Sequence, residues 1–91
     1  MEQLRTIQEF ISRGDISQAI EALDIFIETS AAPNDEAYYL RGNAYRKQGN
    51  WQMALNNYLE AIELNPNSPA VHAKEMLMDI LNFYNKDMYN Q

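Results

Sequence analysis

The chain contains no cysteine, which excludes disulfides, thiol nucleophiles and thiolate metal sites and fits a reducing compartment. Its one histidine, His72, cannot form a metal-holding pair, and a lone histidine at a helix start is accounted for as surface. With three glycines scattered along the chain, there is no glycine-rich phosphate loop. Basic residues are scarce: seven against thirteen acids give a net charge of −6, which argues against nucleic acid, whose binding rests on Lys and Arg. No run of about 18 apolar residues exists to span a bilayer. The opening MEQLRTIQEFISRG is interrupted by polar residues, unlike a secretion signal. These absences predict a cytoplasmic protein that binds no membrane, metal or cofactor and is not an enzyme.

What is present is helical periodicity with regular punctuation. At 91 residues, 46% of them hydrophobic, the chain fits one small domain. Leu4, Ile7, Phe10 and Ile11 mark a first amphipathic helix to about Arg13. Gly14 suits a helix stop, and Asp15 with Gln18 suits the cap of a second helix, whose apolar set is Ile16, Ala19, Ile20, Leu23, Phe26 and Ile27. That turn chemistry accounts for the Arg13-Gly14-Asp15 tripeptide better than adhesion-receptor binding does, since no secretion signal accompanies it. After the loop TSAAPN, Asn34 caps a third helix to Gln48. Gly49 ends it, Asn50 caps a fourth from Trp51 to about Leu64, and Ser68-Pro69 opens a fifth running to about Lys86.

Charge is uneven: residues 1–33 hold six acids and two bases, and Glu21, Asp24 and Glu28 share a helix face. A solvated acidic face explains the three better than a cation site, because nothing supplies a polar cavity around them.

Displaced by 35 residues, the chain overlays itself. Phe10 meets Tyr45, Gly14 meets Gly49, Asp15 meets Asn50, Ile16 meets Trp51, Ala19 meets Ala54, Ile20 meets Leu55, Leu23 meets Tyr58 and Ile27 meets Ile62. Two copies of one helical hairpin are implied, with Gly42 and Ala54 small where helices cross and Tyr45, Trp51 and Tyr58 filling the space around them. Helix five carries Ala73, Leu77, Ile80, Leu81, Tyr84 and Met88 as a covering stripe. Beside that stripe, Met76, Met78 and Phe83 are candidates for self-association, the basis of an alternative reading as a homodimeric structural unit.

Tyr38-x-x-Arg41-Gly42-x-x-Tyr45, then Gly49, Trp51, Ala54, Tyr58, Ala61 and Pro66, resembles the tetratricopeptide repeat, with Arg41 standing where that pattern has leucine. The resemblance implies an all-α fold: a short right-handed α-solenoid of five helices forming one domain over 1–91. Residues 1–33 would be a degenerate hairpin, 34–67 a well-matched repeat and 68–91 a capping helix. It also implies a protein-interaction module whose groove, lined by the first helix of each hairpin, holds a peptide or partner helix. Carried onto this chain, the groove residues are Glu36, Tyr39, Asn43, Arg46 and Lys47 of helix three, with Lys74 and Met78 of helix five. Some members clamp a C-terminal carboxylate with lysines, asparagines and an arginine spread over successive repeats. Asn43 matches that pattern, but Tyr39, Val71 and Glu75 stand where bases are required.

Overall fold

Each hairpin is set by the glycine that ends its first helix. The computed structural model describes the backbone of residues 2–89 and the side chains of residues 3–83. Among the described residues it forms five helices and no strand: α1 (Glu2–Arg13), α2 (Ile16–Thr29), α3 (Asp35–Gln48), α4 (Trp51–Leu64) and α5 (Ala70–Tyr89). Gly14 and Gly49 take left-handed backbone, with φ of 89° and 83°. At the first turn Gly14 N–H donates to Ile11 O at 3.1 Å and Asp15 N–H to Phe10 O at 2.8 Å. At the second, Gly49 N–H donates to Arg46 O and Asn50 N–H to Tyr45 O, both at 2.9 Å. The same two-bond motif thus satisfies the last carbonyls of α1 and α3 and turns the chain within two residues.

The other caps follow side-chain chemistry. Asn34 Oδ1 accepts from Ala37 N–H, and Asn50 Oδ1 from Met53 N–H, each at 3.2 Å. Ser68 Oγ accepts from Ala70 N–H at 3.0 Å and leads into α5, which begins one residue later than Pro69 and extends past Lys86. Asp15 departs from expectation: it makes no side-chain cap with α2, and its carboxylate lies 3.4 Å from the Arg13 guanidinium instead.

Two apolar clusters form, with α3 between them. Leu4, Ile7 and Ile11 of α1, Ala19 and Leu23 of α2, and Ala37, Leu40 and Ala44 of α3 make the first. Ala54, Tyr58 and Ala61 of α4 with Ala70 and Leu77 of α5 make the second, against which Tyr38, Tyr39 and Tyr45 of α3 pack. Tyr39 touches both clusters. Of the expected α5 stripe, Leu77 is buried and Ala73 and Leu81 pack beside it; Tyr84 and Met88 lie outside the described side chains. Trp51 does not fill the helix crossing as expected. It is the first residue of α4 and 38% exposed, at the edge of the hairpin.

Arg41, the departure from the repeat pattern, joins the two hairpins. Its Nε donates to Asn57 Oδ1 at 2.8 Å, its Nη1 donates to Asp24 Oδ1 at 2.7 Å, and its guanidinium lies over the Tyr38 ring, 5.4 Å from the centroid. Asn57 is buried and donates onward to Met53 O at 2.8 Å. Asp24 therefore does not belong to a wholly solvated acidic face, whereas Glu21 and Glu28 remain exposed. Because both Arg41 and Asp24 retain some solvent access, the ion pair itself contributes at most about 1 kcal/mol. Satisfying the buried Asn57 carbonyl matters more, since an unpaired buried acceptor costs roughly 1–3 kcal/mol.

Gly42 fixes the distance between α3 and α4. A Cβ there would lie 2.6 Å from Tyr58 Cδ1 and Cε1 and 3.3 Å from Ala54 O, and the Tyr58 ring is fully buried. In a Gly42→Ala variant, better helix propensity would contribute about 1 kcal/mol. Overpacking against an immobile ring costs about 1–3 kcal/mol and should prevail. The expected result in thermal melts followed by circular dichroism is a lower Tm, by about 4–8 °C for each kcal/mol of net loss. A higher Tm would show that the crossing has room to spare.

Candidate partner-binding cleft

The helical repeat brings Tyr39, Asn43 and Arg46 onto one edge of α3, at spacings of four and three residues. Facing them are Pro69, His72, Ala73, Met76, Leu77 and Ile80 at the start and along one side of α5, and the cleft between has a volume of about 260 Å³. One wall is polar and the other mainly apolar.

The polar wall is held from beneath by Tyr58. Its hydroxyl donates to Asn43 Oδ1 at 2.5 Å and accepts from Arg46 Nε at 3.3 Å, and its ring lies 6.2 Å from that of Tyr39, tilted by 37°. Burial pushes the Tyr58 phenol above its ordinary pKa, an effect the Arg46 guanidinium partly offsets by favouring the phenolate. Asn43 accepts through its carbonyl oxygen, which leaves its Nδ2 group as a donor, and Arg46 uses only Nε toward Tyr58. Each thus keeps N–H groups beyond the Tyr58 contact while its side chain is anchored.

The other residues expected at the groove lie elsewhere. Glu36 and Lys47 are exposed outside the cleft lining, and Lys74 and Met78 are half-buried residues of α5 that also do not line it. Lys74 and Met78 stand 35 residues after Tyr39 and Asn43, the spacing that relates the hairpins. From the Asn34 cap of α3 to the Ser68 cap of α5, however, the period is 34. A one-residue slip rotates a helix face by about 100°, and the corrected register pairs Tyr39, Asn43 and Arg46 with Ala73, Leu77 and Ile80. The cap spacing was the signal that could have placed α5. His72 also joins the cleft wall, with its side chain largely exposed and Nδ1 3.9 Å from Glu75 Oε1.

The candidates for self-association divide. Met76, 55% exposed, lines the cleft, whereas Phe83, 71% exposed, lines a shallow depression of about 500 Å³ with Trp51, Asp79 and Ile80, the last of which also borders the cleft. Among the described residues there is no group of three or more His, Cys, Asp or Glu able to hold a metal ion, and no helix long and apolar enough to cross a membrane.

Antiparallel helical hairpins stacked side by side, with first helices bordering a cleft, define an α-solenoid segment. The tetratricopeptide repeat matches residues 35–68. The solution NMR structure of Bacteroides fragilis protein BF1650 is similar over the whole chain: it is 66% identical, covers 100% of this chain and 92% of that one, and superposes with a TM-score of 0.89. No curated protein matches the chain. The chain belongs to the tetratricopeptide repeat family, whose repeats generally mediate protein–protein interaction and are typically non-catalytic.

Tyr58→Phe should cost about 0.5–1.5 kcal/mol at neutral pH for each hydrogen bond lost. The raised phenol pKa adds a pH signature: its contribution to stability is complete below the unfolded value near 10 and is lost as pH rises through the higher folded value. Urea unfolding at pH 7 and at about pH 10.5 should therefore show a steeper alkaline loss in the wild type than in Tyr58→Phe. Equal pH dependence in both proteins would mean that Tyr58 is not the group responsible.

Proposed function

We propose that this protein is a non-catalytic protein-interaction module that holds a peptide or partner helix in the cleft between α3 and α5. The observation that carries this reading is the pairing of walls: Asn43 and Arg46, anchored by Tyr58, face the apolar side chains of Ala73, Met76 and Ile80. Such a cleft suits a segment that places an apolar side chain on α5 while its carbonyls or a carboxylate accept from Asn43 and Arg46. At about 260 Å³ it is smaller than ordinary small-molecule sites of roughly 300–1,000 Å³, which favours one or two side chains of a longer chain. Glu36 and Lys47, on the same helix, would lie along the flanks of a longer occupant and Lys74 and Met78 at its margin.

Peptides selected from a random library on the immobilised protein test the reading. Their affinity should fall at least tenfold on Met76→Lys or Asn43→Ala and stay unchanged on Glu60→Lys, an exposed α4 substitution away from the cleft. Selected peptides indifferent to Met76→Lys would place binding somewhere else.

A second reading, a homodimer through the outer side of α5, is favoured by the exposure of Phe83 beside Trp51. Size-exclusion chromatography with light scattering should then give a dimer at micromolar concentrations that Phe83→Glu converts to a monomer. A monomeric wild type removes this reading and leaves the cleft untouched.

A further inference from the structure

A second concavity is on the first hairpin, away from the cleft. A groove of about 640 Å³ runs between α1 and α2, with Gln3, Thr6 and Phe10 on one bank and Ala22, Ile25 and Phe26 on the other. An adjoining depression continues it past Phe10, Ala22 and Ile25 to Gln18 and Glu21. Ile25 is 57% exposed although it is a large apolar residue in the interior of α2.

The internal repeat indicates what shape this edge accepts. Displaced by 35 residues, Gln3, Thr6 and Ala22 correspond to Tyr38, Arg41 and Asn57, and in the second hairpin those are the residues joined to α2 through Asp24. The groove is thus where the first hairpin would receive a helix, as the second hairpin receives α2. The match is narrowed by charge. Ala37, Leu40 and Ala44, which α3 buries against the first hairpin, correspond to Glu2, Arg5 and Glu9 in α1. A complete apolar repeat interface is therefore absent, and the strip from Phe10 to Phe26 is what remains.

The flanks of that strip are acidic. Glu21 and Glu28, four residues before and three after Ile25, lie along the α2 side, and both are exposed. Exposed Glu9 follows Thr6 by three residues on α1. Of the two bases in this hairpin, Arg5 is exposed on α1 and stands between Glu2 and Glu9 at the positions that correspond to Ala37, Leu40 and Ala44, so acids outnumber it there. Arg13 lies over the Phe10 ring and 3.4 Å from Asp15, so its charge is largely balanced locally. A second copy of this chain, itself at −6, would bring acid against acid.

We propose that this edge is a second docking site, for a basic amphipathic helix of another protein: apolar residues at i, i+3, i+4 and i+7 against Phe10, Ala22, Ile25 and Phe26, with Lys or Arg flanking them toward Glu9, Glu21 and Glu28. The site is independent of the α3–α5 cleft.

A library of helical peptides about as long as the 14-residue α2, with fixed leucines on one face and flanks randomised among Lys, Arg, Glu, Gln and Ser, tests it. Selection on the full chain should enrich Lys and Arg flanks, and the selected peptides should shift the amide resonances of Phe10, Ala22 and Ile25. Binding should weaken at least tenfold on Ile25→Lys and on Glu21→Lys with Glu28→Lys, weaken with added salt, and persist on Met76→Lys. Circular dichroism confirms that each exposed-site variant is folded. The proposal is overturned by an absence of binders, by enrichment of neutral or acidic flanks, by shifts confined to the α3–α5 cleft, or by wild-type self-association that Ile25→Lys abolishes, which would make a second copy the occupant.

Discussion

A missing side chain at Gly42 allows Tyr58 to lie where it does, and much of the second hairpin depends on that substitution of ring for Cβ. Close approach of α3 and α4 buries the ring completely, and burial of the ring carries its hydroxyl to Asn43 and Arg46. The same contact therefore sets a helix separation and orients two polar side chains at the cleft. Interior packing tolerates little adjustment, so disturbance at Gly42 would be transmitted through the ring to the cleft wall. Scaffold and candidate site share one residue, and damage to either cannot be assigned without measuring both.

Arg41 gives the molecule a different kind of connection. The apolar clusters lie on either side of α3, and alone they would leave the relation of the hairpins to nonspecific burial. Arg41 adds direction: fixed guanidinium donors reach a carboxylate on α2 and an amide on α4 while the group rests over Tyr38. Its energetic contribution is modest because Asp24 is half exposed. Its geometric contribution is larger, since three helices must hold one arrangement for both of these hydrogen bonds to form.

Much of this architecture was legible in the sequence because it is written locally. Gly14, Gly49, Asn34, Asn50 and Ser68 each act within a few residues of themselves, so the helix ends follow from residue chemistry alone. The role of Arg41 was not legible, since Asp24 and Asn57 are 17 and 16 residues away and nothing in their spacing announces an ion pair. Trp51 was hidden for the opposite reason: periodicity identifies an apolar residue without saying whether a neighbouring helix reaches it. At the cleft, the spacing of Tyr39, Asn43 and Arg46 already implied a shared edge of α3, whereas Lys74 and Met78 fall one residue of period away from the α5 face that lines it. Met76, grouped with Phe83 from composition, belongs spatially with Asn43.

The hydrogen bond from Asn65 Nδ2 to Asp35 Oδ2, at 3.2 Å, closes the open end of the α3–α4 hairpin opposite its Gly49 turn. It spans 30 residues, whereas the bond from Tyr58 to Asn43 spans 15. In loop-closure entropy that doubling costs only about 0.6 kcal/mol, so closing the open end of the hairpin costs little more than closing its middle. Helical chains dominated by such local contacts typically fold in the microsecond to millisecond range. The hairpin is then the unit around which the remaining helices can assemble at little further cost in chain entropy.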